Sequence, residues 1–155
     1  MEVPKGRHPN RLEFKGVLTR VDEASDRAPS GTRGKRVVLT KQAAEQALPT
    51  LMGMAIDYAP NLDAHDAKRK IGVITSAEIH GNDVVVGGFV YVRDFPEAVR
   101  DMKACDGLGM SYELADARVE DVRADVWKLV DVTFTGAAVL KRAKAAYGKT
   151  SICFA

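Results

Sequence analysis

Gly107-Leu108-Gly109-Met110-Ser111-Tyr112-Glu113-Leu114 alternates as a strand does, with Leu108, Met110, Tyr112 and Leu114 on one face and Gly109, Ser111, Glu113 and Ala115 on the other. The first face is apolar and predicts a core contact. On the second, glycine and a small hydroxyl leave room for another segment to come close to the backbone.

Downstream, period 2 persists. Ala124 to Thr133 reads as a strand with Val126, Lys128, Val130 and Val132 facing one way and Trp127, Leu129, Asp131 and Thr133 the other. Gly136 to Tyr147, rich in alanine and lysine, predicts a short closing helix. Upstream, Asp94-Phe95-Pro96-Glu97 has the form of a helix start, with Asp94 as cap and Pro96 in the first turn. Ala98, Val99, Met102 and Cys105 then form the buried stripe, and Gly107 ends it.

Further upstream, Ile71 to Ile79 and Val84 to Val92 are strands joined by the turn signal His80-Gly81-Asn82-Asp83. Shorter strands are expected at Leu12–Thr19, Arg36–Thr40 and Gly53–Tyr58. Thr40 caps a helix carrying Ala43, Ala44, Ala47 and Leu48, which Pro49 kinks or ends. Residues 22–36 are almost free of apolar side chains and predict a long mobile loop. About seven strands and three helices, without regular strand–helix alternation, point to an α+β, mainly β fold. We expect a closed antiparallel barrel with peripheral helices, one domain over residues 1–155.

Composition narrows the functional classes. A formal charge of +2, with basic residues scattered, does not predict a nucleic-acid partner. Cys105 and Cys153 lack CxxC spacing and read as reduced thiols. No charged-then-apolar leader opens the sequence and no apolar run approaches about eighteen residues, so a soluble intracellular protein is expected.

Few residues can carry chemistry. His8 lies in a polar tail and His80 in a turn, whereas His65 sits in an irregular segment beside Asp57, Asp63 and Asp66. Asp131 shares its strand face with Trp127 and Leu129 and therefore needs a partner. Ser111, His65 and Asp131 can form a nucleophile, a base and an acid that orients the base. Structural roles for all three remain open, as does a hard-metal reading of Asp57, Asp63, His65 and Asp66. There is no EF-hand spacing, no His-x-x-x-His and no phosphate-binding loop, so neither metal nor cofactor is expected.

Several of these motifs together resemble the prohead maturation proteases of tailed bacteriophages, which share a fold with the herpesvirus assemblins. The markers are Phe14-Lys15-Gly16-Val17-Leu18, Asp63-Ala64-His65-Asp66 ahead of Ile71-Gly72, Gly109-Met110-Ser111-Tyr112, and Asp131-Val132-Thr133-Phe134-Thr135-Gly136-Ala137-Ala138. The resemblance implies a serine endopeptidase with Ser111 as nucleophile and His65 as general base. Asp131 is the expected orienting acid and Glu113, on the Ser111 face, its rival. It also implies scaffold and major capsid protein as substrates, a homodimer or higher assembly, and work inside the immature capsid in the cytoplasm of the bacterial host. A scaffold segment beyond the protease domain, usual in such proteins, is not seen in the sequence. The alternative is a non-enzymatic capsid-assembly or scaffolding module with the same fold.

Overall fold

The computed structural model describes residues 1–155 and contains eight strands and two α-helices. The strands are β1 (Leu12–Arg20), β2 (Arg36–Leu39), β3 (Ala55–Asp57), β4 (Lys70–His80), β5 (Asp83–Val90), β6 (Leu108–Val119), β7 (Val126–Lys141) and β8 (Ser151–Phe154). The helices are α1 (Lys41–Ala47) and α2 (Pro96–Ala104). All strands belong to one sheet in the order β2-β7-β3-β4-β5-β1-β8, with β6 paired to β7 outside that path.

β7 organises the sheet. Its Leu129 pairs with Val119 of β6 and Leu39 of β2, and its Ala138 pairs with Ser111 of β6 and Asp57 of β3. One edge of β7 is therefore given to β6, while β2 and β3 occupy successive lengths of the other. Both of the latter pairings are parallel, so the sheet is mixed rather than antiparallel throughout. Between them, the Phe134 amide donates to Thr50 Oγ1 at 2.9 Å, so the uncovered stretch of edge is not left unsatisfied.

The expected closed barrel is instead an open, curled half-barrel. β6 and β8 approach each other, but no ladder joins them. The Met110 N–H donates to Thr150 Oγ1 at 3.0 Å, and Arg142 reaches Thr150 O and Leu108 O at 3.0 and 3.3 Å. Side chains thus stand where barrel closure requires backbone pairing. The core inside the curl is built from β-strand residues such as Leu18, Ile56, Ile71, Ile74, Met110 and Phe134, all 1% exposed or less.

The β4–β5 hairpin matches its sequence signal. His80 pairs with Asp83, and Gly81 takes φ 60° at the first position of the two-residue turn. Thr40 caps α1, its side chain accepting from the Ala43 amide at 3.1 Å. α2 begins one residue later than expected: Phe95 is its cap residue, and Asp94 accepts a hydrogen bond from Asn10 at 2.8 Å instead.

The expected closing helix over 136–147 is absent. Residues through Lys141 extend β7, and only Arg142–Lys144 form a 3-10 turn. Ala137, Ala138, Val139 and Leu140 are all buried beside β6 and β3, and a run buried on both faces loses its period-2 mark. The expected loop 22–36 is irregular up to Lys35, Arg36 already opening β2, yet its first part is stitched down. Ser25 is fully buried, its amide donates to Val37 O at 2.7 Å, and its Oγ accepts from the Val37 amide at 3.0 Å.

Candidate active site

Three strands bring functional groups to one level. Ser111 of β6, Ala138 of β7 and Asp57 of β3 lie side by side in register, and lateral neighbours in a sheet share a face. Ala138 is the residue between Ser111 and Asp57 in that register. Two residues along β6, Glu113 lies opposite Gly136. A Cβ on Gly136 would sit 2.7 Å from Glu113 Oε2, so the carboxylate lies across the glycine and needs it bare. The free space suggested by Gly109 has a different use: a Cβ there would come 2.5 Å from Thr150 Oγ1, so the segment that approaches is the chain's own.

The segment between β3 and β4 is anchored near this face. Leu62, at φ 53° and buried, accepts at its carbonyl from the Lys141 amide at 2.6 Å. The Asp66 amide donates to Asp57 Oδ1 at 3.0 Å, and the Asp66 side chain turns back to the Lys68 amide and Arg69 Nε at 3.0 and 3.1 Å. Held between these anchors, His65 places Nδ1 2.8 Å from Glu113 Oε1, with side-chain exposures of 33% and 25%. A carboxylate accepts, so Nδ1 carries the proton and the neutral ring has its lone pair on Nε2.

The two carboxyl groups behave oppositely. Burial, together with the neighbouring Glu113 carboxylate, pushes Asp57 up to about 7. Burial also raises Glu113, but hydrogen bonds from Asp57 and His65 outweigh it and hold Glu113 below the ordinary carboxylate range. The two shifts thus have opposite signs, Asp57 raised and Glu113 lowered. Asp57 is only 2% exposed and it is Glu113 that is hydrogen-bonded to His65 Nδ1, which makes Asp57 the costlier place for a charge.

The structure brings His65 to Glu113, not to Asp131. Arg118 opposes Asp131 while Val119 opposes Leu129, so Val130 is the extra residue of a bulge. The bulge reverses the alternation: Trp127 and Leu129 point inward, and Asp131 points to solvent. Ser111 lies on the face that carries Glu113 and Asp57, but its hydroxyl and the His65 ring are not hydrogen-bonded to each other. Of the four residues considered for a metal, Asp57 and His65 converge, joined by Glu113; the three donor atoms lie within 4.8 Å of one another. Asp63 is exposed, and Asp66 faces Lys68 and Arg69. His8 and His80 are engaged locally, with Asn10 and Glu78.

Sequence reasoning named Glu113 only as a rival and Asp57 only as a possible metal ligand. One signal for Asp57 was present, an acid following Ala55-Ile56 in a short apolar strand. The parallel pairing that carries it to Ser111 has no local mark in the sequence.

No family model and no curated protein matches the sequence. The fold, however, is similar to that of a solved structure, the capsid assembly protease gp21 of bacteriophage T4, at 15% identity and a TM-score of 0.50, covering 83% of this chain and 98% of that one. The chain is built on the fold of a phage capsid assembly protease.

Proposed function

We propose that the protein is a serine endopeptidase of phage head maturation, cutting scaffold and major capsid-protein segments inside the immature capsid of an infected bacterium. The observation that carries this reading is the His65–Glu113 pair on the face of the Ser111 strand, with Nδ1 bound and Nε2 open. Ser111 Oγ attacks the scissile carbonyl carbon while His65 Nε2 takes its proton. Glu113 keeps the ring in that tautomer and stabilises the imidazolium that forms. The C–N bond then breaks as His65 returns the proton to the leaving amine. Water, deprotonated by the same nitrogen, hydrolyses the acyl-enzyme. The Ser111–His65 hydrogen bond forms when substrate binds, a tightening common to empty serine sites.

A fluorophosphonate probe tests this directly. Labelling should fall on Ser111 and vanish in His65→Ala, and Ser111→Ala should lower cleavage of a scaffold protein by about four decades with an unchanged circular dichroism spectrum. Cleavage by Ser111→Ala at the wild-type rate would overturn the assignment. The convergence of Asp57, His65 and Glu113 favours a second reading, a metal-dependent hydrolase. That reading predicts loss of cleavage in EDTA and recovery with a divalent ion, whereas the serine mechanism is indifferent to chelation.

A further inference from the structure

We infer that Leu62 is a positioning residue: it pegs the segment between β3 and β4 to the body of the protein and so fixes where the His65 imidazole stands against Glu113. Its importance for catalysis rests on His65 being the base, as proposed above, whereas the peg itself is a matter of packing and backbone geometry.

Leu62 is the one large apolar residue between Tyr58 and Ile71. From Pro60 to Arg69 it alone is buried, at 5% exposure, and it belongs to the core cluster that also holds Met110 and Val139. The rest of that stretch is exposed apart from the half-buried Asp66. Leu62 takes φ 53°, a left-handed backbone that a leucine adopts only where its surroundings impose it. Here three contacts do so. The side chain is buried, the amide donates to Ala59 O at 2.8 Å, and the carbonyl accepts from the Lys141 amide at 2.6 Å. Lys141 is the last residue of β7 and lies opposite Leu108 of β6. The segment thus leaves β3, is tied to the end of β7, and returns to β3 where the Asp66 amide donates to Asp57 Oδ1 at 3.0 Å.

His65 lies between these two ties, after Leu62 and immediately before Asp66. The step from Leu62 to His65 spans at most about 11 Å, so the place of the peg limits where the imidazole can go. The ties are unequal in strength. A single hydrogen bond from an exposed segment has a competitor in water. The Leu62 side chain, by contrast, can leave its site only by returning buried apolar surface to water. The peg therefore decides whether the segment stays down, and the contact of His65 Nδ1 with Glu113 Oε1 at 2.8 Å follows from it.

Amide hydrogen exchange and labelling of Ser111, both on the intact protein, decide the matter. In wild type the Asp66 and Lys141 amides should open together, with one dependence on urea, and more readily than the Phe134 amide bonded to Thr50. Leu62→Ala keeps the backbone and removes the peg. Exchange at Asp66 and Lys141 should then rise by about tenfold or more beyond any rise at Phe134. Fluorophosphonate labelling of Ser111 should slow by about ten- to a hundredfold per folded molecule, the scale of a reacting group displaced by about an ångström. Leu62→Met refills the site with a similar volume and should bring both readings back to within about threefold of wild type. A residue that only adds stability would raise exchange at all three amides alike and leave the labelling of folded molecules unchanged, and that result would overturn the inference. So would independent opening of the Asp66 and Lys141 amides in wild type, a measurement that decides even if Leu62→Ala does not fold. No labelling of wild type at any pH would defeat the proposed protease, while the exchange data would still judge whether Leu62 holds the segment.

Discussion

Glu113 holds His65 because of where two side chains point, and the reason differs for each candidate acid. On β6 the alternation runs undisturbed from Leu108 to Glu113, so Glu113 shares the Ser111 face as simple period-2 counting requires. On β7 the Val130 bulge intervenes and turns Asp131 outward, opposite Arg118. The two acids should therefore respond differently to the same change. Glu113→Gln should slow Ser111 labelling by about three to four decades, since an amide can present the wrong partner to Nδ1. Asp131→Asn should leave the rate within about twofold, as a surface substitution does. Equal losses in the two variants would return Asp131 to the site.

Asp57 also marks the pH dependence of stability. Its folded value, about 7, lies above the ordinary 3.8, so the native state binds the proton more tightly than the unfolded chain. That contribution is complete below about 3.8 and is lost as pH rises through about 7. The melting temperature of wild type relative to Asp57→Asn should fall across this interval and level off above it. Calorimetry of both proteins from pH 4 to 8 checks this; a constant difference would mean that Asp57 ionises normally.

At the scale of the element, β7 shows how one strand serves both core and site. Its central part, Val132 and Phe134, is buried against the core, and its end, Gly136 to Leu140, lies between β3 and β6 with no exposed residue. A second register shift, between the Glu113 and Leu114 pairings, sets Thr135 outside the ladder and leaves Gly136 under the Glu113 carboxylate. Gly136→Ala should therefore displace a flexible side chain more than the backbone. We expect about 1 kcal/mol of lost stability. Labelling should slow by about ten- to a hundredfold, because an orienting group has moved by about an ångström. Urea unfolding and probe kinetics on the same preparation separate the two effects, and full activity in this variant would show that the carboxylate need not lie over the glycine.

At the scale of the molecule, an open sheet must still satisfy the edges that meet. The seam between β6 and β8 relies on Thr150, which is 2% exposed, accepts from the Met110 amide and donates to Tyr147 O at 3.1 Å. Gly109 makes room for it. Thr150→Val keeps the shape and removes the acceptor, leaving a buried N–H without a partner. The cost should be about 1–3 kcal/mol, read as a lower urea midpoint at unchanged slope, with faster amide exchange at Met110. An unchanged midpoint would mean that the seam contributes little to stability. No helix is long and apolar enough to cross a membrane.

What the sequence determined by itself is what local chemistry dictates. Period-2 alternation placed β1, β4, β5 and β6, Thr40 and Gly81 marked a cap and a turn, and Ser111 and Glu113 were assigned to one face by counting. Only the tertiary structure decided the rest. The alanine-rich end of β7 became a strand because β6 and β3 bury it from both sides, outweighing a helical preference of at most about 1 kcal/mol per residue. The bulge that removes Asp131 depends on pairing with a strand elsewhere in the chain, as does the parallel contact that sets Asp57 level with Ser111. Faces are written in the alternation of neighbouring residues, whereas register between distant strands arises from packing, which no single segment encodes.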